Sequence, residues 1–171
     1  MTRPFVIDAD AFKKIFDDLV ANSEGVGKQA LNLILTDDHI LLDRRGAIKQ
    51  QWRNCSCGDD DEYFSTWVAQ RLVEDKIREV DFKRDGSLRS KLNKFGMPQD
   101  DRVYLFVAAS NDAYGIVSED SDLYDPKAKR WGPEEKRKLR ERGGSCVARY
   151  MRRQFGVEIF PLHQTSRHCP A

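Results

Sequence analysis

The chain has 171 residues, of which 40 % are hydrophobic and 33 % charged, and this favours one globular domain over residues 1–171. Lys and Arg total 29 against 28 Asp and Glu, a net charge of +1. This balance excludes a histone-like basic protein and an acidic disordered chain. No apolar run approaches the roughly 18 residues of a membrane span. Because no secretory signal is visible either, the four cysteines favour reduced thiols in a cytoplasmic protein.

Short apolar runs alternate with helical patterns along the chain. Strands are predicted at 5–7, 40–42, 115–117 and 157–160, where the runs are short and apolar throughout, as in strands buried on both faces. Helices are predicted at about 11–21, through 30–35, at 47–53, over 63–73, at 133–142 and through 147–151. Residues 83–94 are polar and are predicted to form a connection. The alternation indicates an α/β domain with a mainly parallel sheet.

The most apolar helix is predicted over residues 103–109, after Pro98. Its apolar side chains fill most of the helix circumference, which places it in the middle of the domain. Asp100 or Asp101 is predicted to cap its first turn.

Acidic residues stand where predicted strands end and where this buried helix begins. Asp8 and Asp10 follow the first strand, Asp120 and Asp122 follow the strand at 115–117, and Asp101 precedes the buried helix. Carboxyl ends of parallel strands share one edge of a sheet, so these groups are expected to converge. Converging carboxylates favour a bound Mg²⁺ or Mn²⁺, the usual equipment for hydrolysing phosphodiesters. The alternative is that each acid simply caps a helix or forms a turn.

Three segments resemble motifs of the PIN-domain family of metal-dependent nucleases, many of which are toxins that cut RNA. FVIDADAF (5–12) is similar to the family's first strand with its terminal acid, QDDRVYLFVAAS (99–110) to its acid followed by an apolar helix, and GIVSEDSDLYD (115–125) to its late acidic pair. The resemblance implies a three-layer α/β/α sandwich and an endoribonuclease in which Asp8, Asp101 and Asp120 hold Mg²⁺ or Mn²⁺. Asp122 would assist catalysis, and Asp10, Gln51 and Asp122 would be further ligands.

One position departs from the family pattern. Such proteins carry a Glu followed by an aromatic residue in the helix after a turn like LLDRRGAI (41–48), and here the pair is Gln51-Trp52. A glutamine offers a carbonyl oxygen without negative charge, so a second cation would be held more weakly. The protein could therefore work with one ion, recruit Asp43 or Glu62, or bind RNA or a partner protein without cutting.

A basic tract lies between Pro126 and Arg153. Its members predicted to bind nucleic acid are Lys127, Lys129, Arg130, Lys136, Arg137 and Arg140. Such patches attract phosphate backbones without base specificity, although a solvated helix face is an equally good reading. Trp131 could stack on an unpaired base or lie in the core.

The partners expected from these features are RNA and no membrane, with an antitoxin or self-association as a means of holding a toxin-like nuclease inactive. No sequence feature identifies such an inhibitory partner. Cys55, Cys57, His168 and Cys169 could supply zinc ligands if the tail folds back, but the CxC spacing is not the usual one.

Overall fold

Five parallel strands form the central sheet. The structure, a computed structural model, describes residues 3–169. The strands are β1 (Phe5–Ile7), β2 (Ile40–Asp43), β3 (Ile77–Val80), β4 (Gly115–Val117) and β5 (Glu158–Phe160). They are ordered β3-β2-β1-β4-β5, and every neighbouring pair is parallel. The chain thus builds outward from β1 on one side and then returns to build outward from β4 on the other.

Helices connect consecutive strands and cover the sheet. They are α1 (Ala9–Ala21), α2 (Val26–Asp37), α3 (Ala47–Ser56), α4 (Asp61–Val73), α5 (Gly86–Phe95), α6 (Arg102–Ser110), α7 (Ser121–Tyr124), α8 (Pro133–Arg142), α9 (Cys146–Phe155) and α10 (Thr165–His168). Short 3-10 turns occur at Gln99–Asp101, Pro126–Arg130 and Leu162–Gln164. Within residues 3–169, each helix is too short or too polar to cross a lipid bilayer.

The predicted fold class is confirmed: the protein is α/β, with an all-parallel sheet between helices in the manner of a three-layer α/β/α sandwich. α1 packs on α2 and α3, whereas α6 packs on β1, β2 and β4 and on α9. The apolar helix does lie in the core, since Tyr104 to Ala108 are all buried. Asp101 stands at the N-cap position of α6 as predicted, but it also ends a 3-10 turn and its side chain makes no capping hydrogen bond.

The sequence analysis missed one strand, β3, and three helices, of which α5 is the longest and α7 and α10 have four residues each. β3 lies at an edge of the sheet, and its Arg78 and Glu79 are exposed, so it lacks the apolar run of a central strand. The segment predicted as a polar connection contains α5, whose buried face is only Leu88 and Leu92. Two buried residues separated by one helical turn are too few to give a recognisable periodicity.

Trp52 in α3 joins the core to the central strand. Its ring stacks on Phe12 of α1 with centroids 4.0 Å apart and planes 2° from parallel. Its indole Nε1 donates a hydrogen bond to the carbonyl oxygen of Ile7, the last residue of β1, at 2.9 Å. The contact therefore orients α3 and its polar neighbour Gln51 relative to the carboxyl end of β1.

Replacing Trp52 with phenylalanine is expected to lower the free energy of unfolding by about 1–3 kcal/mol, because the buried Ile7 carbonyl loses its donor and a cavity opens. Urea denaturation followed by circular dichroism measures this. The matched control is Trp131→Phe, at a side chain that is 38 % exposed, where a change within about 0.5 kcal/mol is expected. Equal losses in both variants would contradict the assigned role of Trp52.

Candidate functional site

An acidic cavity of about 160 Å³ opens where the strand order changes direction. Starting from β1, the chain moves to β2 and β3 on one side and then to β4 and β5 on the other. Connections leave β1 and β4 in opposite directions, so a crevice forms beyond their carboxyl ends, the usual binding place of open α/β sheets. Its lining includes the predicted residues Asp8, Asp10, Gln51, Asp101 and Asp120. We call this the acidic cavity.

Asp8 is the most buried of these acids, with 3 % of its surface exposed. It follows β1 directly and caps α1, since its Oδ1 accepts a hydrogen bond from the Ala11 N–H at 2.8 Å. Its Oδ2 accepts a short hydrogen bond from the hydroxyl of Ser118, the residue that follows β4. Burial nevertheless raises the pKa of Asp8 to about 8, against the opposing effect of these two donors. Without a cation, this carboxyl group therefore holds a proton near neutral pH.

Asp101 and Asp120 reach the same cavity from two further parts of the chain. Asp101 ends the 3-10 turn ahead of α6, and burial together with the charge of Asp120 raises its pKa to about 6. Asp120 precedes α7, and its Oδ1 accepts a hydrogen bond from the Asp122 N–H at 2.9 Å. Burial also raises the pKa of Asp120. The expected convergence of acids from three remote segments is thus found, and each of these three carboxyl groups is disfavoured in its charged form.

Gln51 is held on both sides by its neighbours. Its Oε1 accepts a hydrogen bond from the Tyr104 hydroxyl at 2.6 Å, and its Nε2 donates to the Asp100 carbonyl oxygen at 2.8 Å. The carbonyl oxygen that was expected as a cation ligand is therefore already engaged. One lone pair of Oε1 remains for a second partner.

The donor chemistry of the acidic cavity fits a hard divalent cation, because carboxylate and amide oxygens line it. The positions of the acidic side chains fit a cation less well. Within residues 3–169, no group of three or more His, Cys, Asp or Glu side chains is arranged to hold a metal ion as it stands. Shared coordination by Asp8, Asp101 and Asp120 therefore requires side-chain rotation and loss of the protons that burial favours.

The other predicted acids lie elsewhere or are engaged. Asp122 lies in the first turn of α7 beside Asp120, half-buried but outside the lining of the acidic cavity. Asp43, at the end of β2, accepts hydrogen bonds from the Ala47 and Ile48 N–H groups and so closes the first turn of α3. Glu62 is exposed on α4 and lines a separate cavity. Neither Asp43 nor Glu62 replaces the charge that Gln51 lacks.

The basic tract lies beyond β4, next to Asp120. Lys127, Lys129 and Arg130 are exposed on the 3-10 turn at Pro126–Arg130. In α8, Arg137 binds Glu141 at 2.9 Å and Arg140 donates to the Ser121 hydroxyl at 2.7 Å, so part of this charge is used within the protein.

Lys136 and Trp131 of the tract bear on the predicted binding of RNA. The positive charge of Lys136 opposes the rise that burial causes in the pKa of Asp120. Trp131 follows the 3-10 turn and is 38 % exposed. Its side chain is therefore partly accessible, as the base-stacking interpretation requires.

The cysteines do not converge. Cys55 borders the acidic cavity, whereas the His168 ring stacks on Phe160 at 3.9 Å and contacts the Tyr114 hydroxyl at 3.0 Å. All four cysteines are free. The arrangement therefore gives no support to the zinc interpretation.

Two residues of the site were missed by the sequence analysis. Ser118 connects β4 to Asp8, and its hydroxyl oxygen also accepts a hydrogen bond from the Asp120 N–H at 3.1 Å. Tyr104 holds Gln51, and burial raises its pKa. Ser118 directly follows a predicted strand, which was an available signal. Tyr104 was counted only as an apolar position of the central helix.

Comparison with known proteins assigns no family to this chain. Neither a search of protein-family models nor a search of curated proteins found a match to this chain. The class that the structure defines is therefore an α/β protein with an acidic cavity at the switch point of a parallel sheet.

Proposed function

We propose that this protein is a PIN-like endoribonuclease that depends on Mg²⁺ or Mn²⁺ and cleaves RNA phosphodiester bonds. The observation that carries the proposal is the meeting of Asp8, Asp101 and Asp120 in one cavity at the switch point. Burial raises the pKa of each of these groups, and perturbed carboxyl groups in a cleft are typical of functional sites. Asp8 and Asp120 also cap α1 and α7, but capping does not require acids from three segments to share one cavity, whereas cation binding does.

The proposed roles follow from the contacts. Asp8, Asp101 and Asp120 would hold the cation, and Asp10 and the free lone pair of Gln51 would be further donors. Ser118 orients Asp8 through its hydroxyl, and Asp122 holds Asp120 through its backbone N–H. A bound cation would supply activation of a water molecule and neutralisation of phosphate charge. Lys127, Lys129 and Arg130 would attract the RNA backbone.

The test is cleavage of single-stranded RNA with Mn²⁺, with EDTA as the metal-free comparison. Asp120→Asn is expected to reduce the rate at least about 100-fold, the upper end of what disturbing even the outer partners of a metal site costs. Glu62→Gln is the matched control, because it also removes one acid but lies outside the acidic cavity. Cleavage that survives both Asp120→Asn and EDTA would eliminate this mechanism.

A second candidate function is RNA or protein binding without cleavage. It is favoured by the engagement of Gln51 with Tyr104 and by the absence, within residues 3–169, of a ready three-acid metal site. This candidate predicts RNA affinity that is intact in EDTA, together with no cleavage in Mn²⁺. If the protein is a toxin, an antitoxin or a second copy would be the partner that limits its activity.

A further inference from the structure

A second cavity, of about 330 Å³, lies beside the acidic cavity along the same edge of the sheet. It is built from the segments that follow β2 and β3, from α5 and from the start of α6. Four arginines line it: Arg45, Arg84, Arg89 and Arg102. Gln51 lines both cavities, so the two are adjacent. We call the second one the arginine cavity.

Three of these arginines have no acidic partner. Within residues 3–169, Arg45, Arg84 and Arg89 are exposed and none forms an ion pair. The Arg45 guanidinium lies over the Phe82 ring, 5.8 Å from its centroid, which orients it while leaving its N–H groups available. The neighbouring Arg44, by contrast, is paired with Asp81 at 3.1 Å.

The fourth arginine is buried and also lacks a carboxylate. Arg102 is 7 % exposed, and its guanidinium donates to the Met97 carbonyl oxygen at 2.7 and 3.0 Å and to Asn93 Oδ1 at 2.7 Å. These acceptors are neutral, so the positive charge is solvated but not cancelled. Buried charges are normally paired, and an uncompensated one favours an anionic ligand.

Two acids also line the arginine cavity, and neither cancels the excess positive charge. Asp43 is occupied by the N–H groups of Ala47 and Ile48. Asp100 is exposed and contributes its backbone carbonyl to Gln51. Four positive groups against two negative ones leave the lining of the arginine cavity with an excess of positive charge.

We infer that the arginine cavity binds phosphate groups of a single RNA strand whose neighbouring phosphodiester lies in the acidic cavity. This placement rests on the proposed function. Planar guanidinium groups bind phosphate oxygens through two hydrogen bonds at once, which suits an arginine cluster to this ligand. The cavity lies beyond β2 and β3, whereas the basic tract lies beyond β4, so positive charge flanks the acids on both sides. A strand crossing the carboxyl edge would meet both.

Binding of a fluorescein-labelled oligouridylate in EDTA, measured by fluorescence anisotropy, tests the inference. The triple variant Arg45→Ala/Arg84→Ala/Arg89→Ala is expected to bind at least about tenfold more weakly than the wild type. It should also lower the slope of log affinity against log salt concentration by about 2, since each phosphate contact on a single strand contributes about 0.7. If the triple variant unfolds, the exposed single variant Arg84→Glu is expected to weaken binding at least about threefold.

The matched control also removes three positive charges but at the opposite edge. It is Arg71→Ala/Lys76→Ala/Arg167→Ala: Arg71 lies near the end of α4, Lys76 precedes β3, and Arg167 adjoins His168, which contacts Tyr114 ahead of β4. This control is expected to change affinity less than about threefold. Equal losses in the control and in the arginine-cavity variant would overturn the inference.

The assay contains no divalent cation, so it separates the two proposals. Arginine-dependent binding by a protein that does not cleave RNA in Mn²⁺ would overturn the proposed nuclease activity and support the arginine cavity. Mn²⁺-dependent cleavage with an affinity that is unaffected by the arginine substitutions would do the reverse.

Discussion

Replacing Asp8 with asparagine is expected to abolish Mn²⁺-dependent RNA cleavage and, in the same protein, to raise the free energy of unfolding at pH 8. The pKa of Asp8 is about 8 in the folded protein, against 3.8 as its ordinary value. Between these two values the folded protein holds a proton that the unfolded chain has lost. The stability of the wild type therefore falls as pH rises from about 4 to about 8. At a pH where Asp8 is ionised and could bind a cation, its burial lowers the stability of the folded protein most.

The asparagine variant lacks this dependence, because an amide does not ionise. Its Oδ1 can accept the Ala11 N–H as the carboxylate does, and its amide can donate to Ser118. The gain in stability over the wild type is expected to be small near pH 4 and to approach an upper limit of about 5 kcal/mol at pH 8. Urea unfolding in EDTA across this pH range measures it.

Mn²⁺ supplies the complementary measurement. A cation that binds only the folded wild type raises its melting temperature by mass action, whereas the Asp8→Asn variant should respond little.

For the stability measurement, Asp10→Asn is the control, because Asp10 also borders the acidic cavity but is exposed, so its removal should bring no comparable gain in stability. Parallel stability-versus-pH curves for the wild type and Asp8→Asn would refute the assigned protonation of Asp8.

Replacing Gln51 with glutamate is expected to raise Mn²⁺ affinity about tenfold or more, because a negative ligand joins the wall of the acidic cavity. The Tyr104 hydroxyl can still donate to the new carboxylate, so the side chain stays in place. The Asp100 carbonyl loses its donor, and repulsion from the neighbouring aspartates should lower the metal-free free energy of unfolding by about 1–3 kcal/mol. Titration calorimetry with Mn²⁺ measures the affinity.

Gln50→Glu provides a control with the same chemical change one residue earlier. Gln50 is exposed, and its Nε2 donates to Asn54 rather than toward the acidic cavity. Its effect on Mn²⁺ affinity should stay within about twofold, because an exposed charge is screened by salt. Equal gains from both substitutions would show that net charge alone, rather than a new ligand, is responsible. If the wild type does not cleave RNA and Gln51→Glu restores no cleavage, the binding-only function is favoured.

The central part of the fold could be predicted from the sequence because burial acts on both faces of its strands. β1 and β4 are apolar throughout, β2 is apolar up to its last residue, Asp43, and α6 is apolar nearly all round, so each carries its own signal. At the periphery this signal is lost. For α5, the cap formed by Asp85 with the Leu88 N–H and the left-handed Gly96 at its end were the available cues.

The acids of the site could be predicted because strand ends place them, but their hydrogen-bond partners could not. Whether Gln51 faces a cation or Tyr104 depends on side-chain packing between α3 and α6, which no local pattern encodes. The arginine cavity shows the same difficulty, since Arg45 is remote in the chain from Arg84 and Arg89 and the three form no run in the sequence. The basic tract could be recognised instead, because its lysines and arginines are close together in the sequence.

The outer strand β3 also limits how copies of this protein could associate. An unpaired strand normally invites pairing with a strand of another molecule, and charged side chains oppose this because desolvating them is costly. Arg78 and Glu79 are exposed in the middle of β3. Two copies of the protein are therefore not expected to extend the sheet by pairing β3 with β3. A homodimer is therefore expected to use a surface other than β3.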